Sequence, residues 1–132
     1  MEAQVQQLIS EGVLDAQFNE LMQLQDESNF LLEVIQLYFE DSATKIESIH
    51  RMLQAPEPDF QELDQLVHQF KGSSASMGAK AITELCVQLR ANCQQRNKQG
   101  CEACMAHMGY AYEVLKAKLQ ALMADEAART QS

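Results

Sequence analysis

Phe60-Gln-Glu-Leu-Asp-Gln-Leu-Val-His-Gln-Phe-Lys-Gly-Ser-Ser-Ala-Ser-Met77 spaces Phe60, Leu63, Val67 and Phe70 three or four residues apart. That period predicts an α-helix with one buried stripe. On a wheel advancing about 100° per residue from Phe60, the apolar side centres at about 290° and His68 falls at about 80°. Gly72 falls at about 120° and Ala75 at about 60°, so both share the solvent side with the imidazole. A glycine inside a helix costs about 1 kcal/mol against alanine. Close approach by a second protein would give Gly72 a use.

The same period runs outward in both directions. Toward the N-terminus, Leu31, Val34, Ile35, Tyr38, Ser42, Ile46, Ile49 and Leu53 form the stripe of a long helix. Asp26-Glu-Ser-Asn29 supplies its cap and acidic start. Ala55-Pro-Glu-Pro58 stops it, because proline disfavours helix at the residue before it. Asp59 and Glu62 then have capping-box spacing. Two shorter segments lead in, one with Val5, Leu8 and Ile9 ending near Gly12, the other with Leu14, Phe18, Leu21 and Met22. Toward the C-terminus, Ile82, Leu85, Cys86, Leu89 and Cys93 mark another helix, with Gly100 as its C-terminal cap. Met105, Met108, Tyr112, Leu115, Leu119 and Leu122 mark the last. No segment alternates with period two for strand length. The chain therefore predicts an all-α protein of six helices, an antiparallel up-down four-helix bundle preceded by two short helices. The expected organisation is a single domain over 1–132, with N-terminal helices at 1–27, the bundle at 28–126 and a tail at 127–132.

Composition narrows the function. With 132 residues, 46 % hydrophobic and 22 % charged, the chain fits one globular domain. No apolar run exceeds four residues, too short to span a membrane. Met1-Glu2-Ala3-Gln4 lacks the basic and apolar parts of a secretory signal, so the expected location is intracellular. A net charge of −9 opposes sequence-independent binding to nucleic acid or an anionic membrane. Residues 1–66 hold fourteen acids and two bases (net −12), and residues 67–132 hold five acids and eight bases (net +3). Lys71, Lys80, Arg90, Arg96 and Lys98 face only Glu84 over 71–98 (net +4), which suggests a cationic patch for an acidic site or a phosphoryl group.

Phosphate loops, Ser-His-Asp order and H-E-x-x-H are missing, which leaves three histidines. His50 near the end of the long helix suits the helix dipole. His107, beside Met105 and Met108, suggests a partly buried structural role. His68 is different: an exposed imidazole with Lys71 three residues on, Gly72 a turn away and small residues beyond. Histidine can carry a covalent intermediate, and phosphoryl transfer needs mainly positioning and charge stabilisation, which Lys71 can supply. Cys101-Glu-Ala-Cys104 with His107 reads C-x2-C-x2-H, part of a zinc pattern. Its remaining pair, Cys86 and Cys93, is spaced seven apart in a helical pattern, so buried reduced thiols are favoured and no metal site is expected.

His68-Gln-Phe-Lys-Gly-Ser-Ser-Ala-Ser-Met-Gly-Ala79 resembles the signature of plant histidine-containing phosphotransfer proteins. Leu24-Gln-Asp-Glu-Ser-Asn29 and Tyr38-Phe-Glu-Asp-Ser42 resemble two further family segments, and the Cys101/Cys104 spacing is also similar. The likeness spans residues 5–122, with a shorter loop after Asn29 and an Ala55–Pro58 linker of its own. The presence of His68 makes the chain resemble the active form, not the pseudo-proteins that lack the histidine. The resemblance implies a multistep phosphorelay in which His68 accepts phosphate from a receiver aspartate of a hybrid sensor kinase. It then passes it to a receiver aspartate of a response regulator. Lys71 and Gly72 carry over as phosphate-supporting and close-approach residues, Gln69 and Ser73 as lesser supports, with Ala75 and Lys80 bordering the docking surface. No cofactor is implied on this chain, since the Mg²⁺ of transfer sits on the receiver. The family further implies cytokinin signalling, a cytoplasmic and nuclear location, and a monomer. Two rivals differ in class: a helical adaptor that binds receivers without carrying phosphate, and a metal-binding helical protein using Cys101, Cys104 and His107.

Overall fold

The computed structural model describes residues 2–23 and 30–131, with side chains to Asp125. Six helices make up the described chain: α1 (Glu2–Ser10), α2 (Ala16–Gln23), α3 (Phe30–Leu53), α4 (Phe60–Met77), α5 (Lys80–Gln94) and α6 (Lys98–Gln131). The fold is all-α. None of the described helices is long and apolar enough to cross a membrane.

Helices α3 to α6 form the bundle, and each neighbouring pair is joined by a side chain as well as by packing. Tyr38 of α3 shares a 2.8 Å hydrogen bond with Ser74 of α4. Asp64 of α4 pairs with Arg90 of α5. Cys93 of α5 lies 3.8 Å, sulfur to sulfur, from Cys101 of α6. Tyr112 of α6 closes the ring by donating to the Phe39 carbonyl of α3 at 3.0 Å. The α3 stripe buries Leu31, Ile35, Tyr38, Ser42, Ile49 and Leu53, with Val34 and Ile46 partly covered at its edges. Leu63, Val67, Phe70, Ser74 and Met77 are the buried side of α4. Truncating a residue such as Phe70 to alanine costs roughly 3–5 kcal/mol. Substitutions on an exposed face away from special features stay within about 0.5 kcal/mol. The bundle is therefore specified by one side of α4, which leaves the other free to carry function.

Two corners set the register. Asp59 caps α4 by accepting from the Glu62 amide at 3.1 Å, as the spacing predicts. At the other end Gly78 turns the chain with φ 77°, donating to the Ala75 carbonyl. A Cβ there would stand 2.5 Å from the Phe18 backbone nitrogen of α2, so the position requires glycine for space as well as for φ. The Asp15 amide donates to the Gly78 carbonyl at 2.9 Å, which ties the lead-in segment to this corner.

Three boundaries differ from the sequence expectations. Gly100 does not cap α5. It lies in the first turn of α6, where its amide donates to the Asn97 side chain at 3.0 Å, making Asn97 the cap. Helix α5 closes earlier, at Gln95, with Arg96 following in the left-handed region at φ 56°. Glycine is the usual residue there, so no composition signal marks the corner. Helix α6 continues to Gln131, through the span expected to be a tail. The cap expected at Asp26–Asn29 lies outside the described residues.

Candidate functional site

His68 is exposed in the middle of α4, on the side away from Leu63, Val67 and Phe70. Gln69, Gly72, Ala75 and Ser76 are exposed around it, so the wheel reading holds residue by residue. A Cβ built on Gly72 meets nothing within 4 Å. The glycine is therefore not required by packing inside the bundle, and its open space faces outward.

One side of the imidazole is held. Arg90 of α5 directs Nη1 to His68 Nδ1 at 3.1 Å, while Nε and Nη2 hold the two Asp64 carboxylate oxygens at 3.0 and 3.3 Å. The guanidinium is a planar fork of donors, so it spans both partners at once. The hydrogen bond to Asp64 raises the Arg90 pKa above its ordinary value, so the fork is charged throughout the physiological range. Lys71 is half-buried toward the same side, close enough to favour the Cys86 thiolate by its charge. Burial outweighs that charge and pushes the Cys86 thiol up to about 12.

Other expected site residues do not join this group. Ser73 is half-buried and donates to the Phe70 carbonyl of its own helix at 3.1 Å, so its hydroxyl is occupied as a helix back-bond. Lys80 begins α5 beside Asp15, Thr83 and Glu84, about 15 Å of helix rise from Arg90. The basic stretch is likewise dispersed. Lys98 donates to the Ala55 carbonyl at 3.0 Å, and Arg96 lines a cleft with Asp59, Phe60 and Asp64, reaching the site only on the Asp64 side. Lys71 and Arg90 are the members that flank His68. His107 is exposed, which corrects the partly buried role expected of it. Cys101 and Cys104 are buried while His107 is not, so the C-x2-C-x2-H run does not converge. Among the described residues no group of three His, Cys, Asp or Glu could hold a metal ion.

The helical bundle that carries this exposed imidazole matches known proteins in sequence and in fold. The model of the Hpt domain matches residues 33–125. This chain is a member of the Hpt family. It is 41 % identical over 118 residues to histidine-containing phosphotransfer protein 5 of Arabidopsis thaliana, covering 87 % of this chain and 75 % of the relative. A pseudo histidine-containing phosphotransfer protein of Oryza sativa subsp. japonica is also 41 % identical, over 115 residues, covering 86 % and 76 %. The solved structure of a histidine-containing phosphotransfer protein from Medicago truncatula superposes with a TM-score of 0.91 at 31 % identity, covering 99 % of this chain and 91 % of that one.

Within this Hpt domain, Arg90 and Asp64 are the site residues that the sequence reading did not assign. Along the chain Arg90 is only one of five bases in a stretch. The signal was present in the register: His68 and Arg90 lie at similar distances along the chain on either side of the Gly78 corner. Antiparallel helices joined by a tight turn bring such positions to one height. Using that signal requires knowing where the turn is, and the φ 77° glycine supplies it.

Proposed function

We propose that this Hpt domain is an active phosphoryl carrier and that His68 is its phosphorylated residue. The observation that carries the reading is the exposed His68 imidazole on a rigid bundle helix, with unobstructed space over Gly72. An imidazole nitrogen attacks the phosphorus of a receiver's aspartyl phosphate. The N–P bond forms as the acyl O–P bond breaks, and the electron pair stays on the carboxylate. Return to a second receiver reverses these bond changes. Because the site is a convex face with no enclosed chemistry of its own, donor and acceptor are other proteins. Lys71 would offset charge on the moving phosphoryl group, and Gly72 would admit the partner's surface.

The names of the relatives support phosphotransfer on histidine, and the pseudo relative makes His68 the residue to test. By family analogy the donors and acceptors are receiver domains of hybrid histidine kinases and of response regulators, with Mg²⁺ on the receiver. Cytokinin signalling, a monomeric state and residence in cytoplasm and nucleus belong to the same proposal. The test is incubation with a phosphorylated receiver domain followed by phosphosite mapping. Acid-labile label on His68, lost in His68→Gln, is the expected result. Label that persists in His68→Gln would overturn the assignment. Receiver binding without any label would leave the phosphate-independent adaptor as the function.

A further inference from the structure

Arg90 does more than crowd the imidazole. Arginine has no acceptor, so in the 3.1 Å contact His68 Nδ1 must accept, and its lone pair is unprotonated. The hydrogen of the neutral ring is then on Nε2, the nitrogen that Arg90 does not touch. Asp64 fixes the direction of the fork by taking two of its other donors, and both members of that pair are largely covered, at 27 % and 22 % side-chain exposure. The charged groups around the ring are Asp64 and Lys71 from α4 and Arg90 from α5. Cys93 lies against the Asp64–Arg90 pair, and burial keeps its thiol neutral by pushing it up to about 12.

The consequence concerns what happens once phosphate is on the ring. Attack needs the lone pair of Nε2, so the ring reacts through its minor Nδ1–H tautomer, briefly off the Arg90 bond. The N–P bond forms, the Nδ1 proton passes to water, and the freed Nδ1 lone pair again accepts from Arg90. Loss of phosphate requires the N–P electron pair to return to the ring. From a neutral ring that expels an imidazolide anion, a poor leaving group. With a proton on Nδ1 it expels neutral imidazole, a good one. A donor already seated on Nδ1 competes with that proton. The geometry points to Arg90, aimed by Asp64, as the residue that sets the lifetime of the carried phosphate, by holding Nδ1 unprotonated while the group rides on Nε2. Arg90 is thus a positioning residue, and a receiver that draws it off Nδ1 would also release the phosphate to be moved.

This inference rests on His68 being the carrier, and the experiment separates the two. Phosphoramidate, a small donor that needs no receiver, loads the wild type, Arg90→Ala and Asp64→Asn, and loss of phosphohistidine is followed by ³¹P NMR across pH. At neutral pH both variants should lose phosphate about three- to tenfold faster than wild type, the worth of one partly exposed charge-assisted hydrogen bond. The three decay rates should converge in acid, where Nδ1 is protonated whatever Arg90 does. A merely structural role would not produce that convergence. Equal decay at neutral pH would overturn the role of Arg90 and leave the carrier reading intact. The unloaded wild type supplies an independent check by ¹⁵N NMR of His68. The Nε2–H form is expected, and predominance of the Nδ1–H form would overturn the inference without reference to loading. Failure of wild-type His68 to take phosphate from any receiver would instead remove the carrier reading itself.

Discussion

The His68 face of α4 and the cysteine corner of α5 and α6 both hold nucleophilic side chains, yet the fold treats them oppositely. His68 stands in solvent with a charged donor on one nitrogen and open space beside it. Cys93 and Cys101 stand 3.8 Å apart, sulfur to sulfur, and both are buried, as is Cys104. Burial, and beside it the neighbouring thiols, pushes Cys93 up to about 12, and burial raises Cys101 above its ordinary value. A thiol must ionise to react, so the corner is chemically quiet. Residue type proposes a nucleophile, and exposure with its hydrogen-bond partners decides which one is used.

The largest effect that would break this contrast is at Gly72. Replacing it by leucine should lower transfer from a phosphorylated receiver by about 100-fold, because displacing the reacting groups by a fraction of a side chain is that costly. The melting temperature should not fall, since a Cβ there meets nothing and helix propensity improves. Unimpaired transfer by Gly72→Leu would mean that the open surface beside His68 is not where the partner sits.

A smaller effect separates the two lysines. Lys71→Ala should slow transfer by about tenfold once binding is saturated, as expected for loss of one partly exposed charge near the moving group. Lys80→Ala should leave the saturated rate unchanged, because Lys80 lies at the α4–α5 corner beside Asp15 and Glu84. Rates and receiver affinities at two salt concentrations check both variants, since steering by either lysine weakens as the Debye length falls to about 3 Å at 1 M. A wild-type saturated rate in Lys71→Ala would remove its role in transfer.

The smallest effect sharpens the other side of the comparison. Cys86 and Cys93 are raised from 9.0 to about 12 by burial, and Tyr38 from 10.0 to about 12 by the same cause. In the folded protein these groups keep their protons where the unfolded chain has lost them. Unfolding then releases protons, so stability should be level up to about pH 9 and decline as pH rises toward 12. Urea titrations at stepped alkaline pH measure this, and Cys86→Ala should flatten the decline. Alkylation of the folded protein near neutral pH should be slower than that of the unfolded chain by more than about tenfold. Thiols that react equally fast in both states would place the cysteines on the reactive side of the contrast.

Much of this was legible in the chain. Period alone identifies α3 and α4, because their stripes are unbroken and bounded by Ala55–Pro58 and Asp59. It also places His68 outward, since the wheel depends only on local geometry and on which residues are apolar. The corner after α5 was not legible. Arg96 adopts the left-handed conformation without being glycine, and Gly100, the residue that suggested a helix end, lies in the first turn of the next helix. His107 failed for a related reason: neighbours in sequence such as Met108 occupy another side of the same helix.

By itself, then, the sequence determined the helices, the buried and exposed sides of α4, and the outward position of His68. All of these follow from spacing within one helix. Only the tertiary structure decided what surrounds that histidine. It brought Arg90 across from α5 and set Lys80 apart from the site. It also buried three thiols where α5 meets α6, with Cys93 behind the Asp64–Arg90 pair. Those outcomes depend on how α4 and α5 meet around Gly78, where φ and the contact with Phe18 fix the register. A contact between helices is set by that register, and charge counted along the chain carries no information about it.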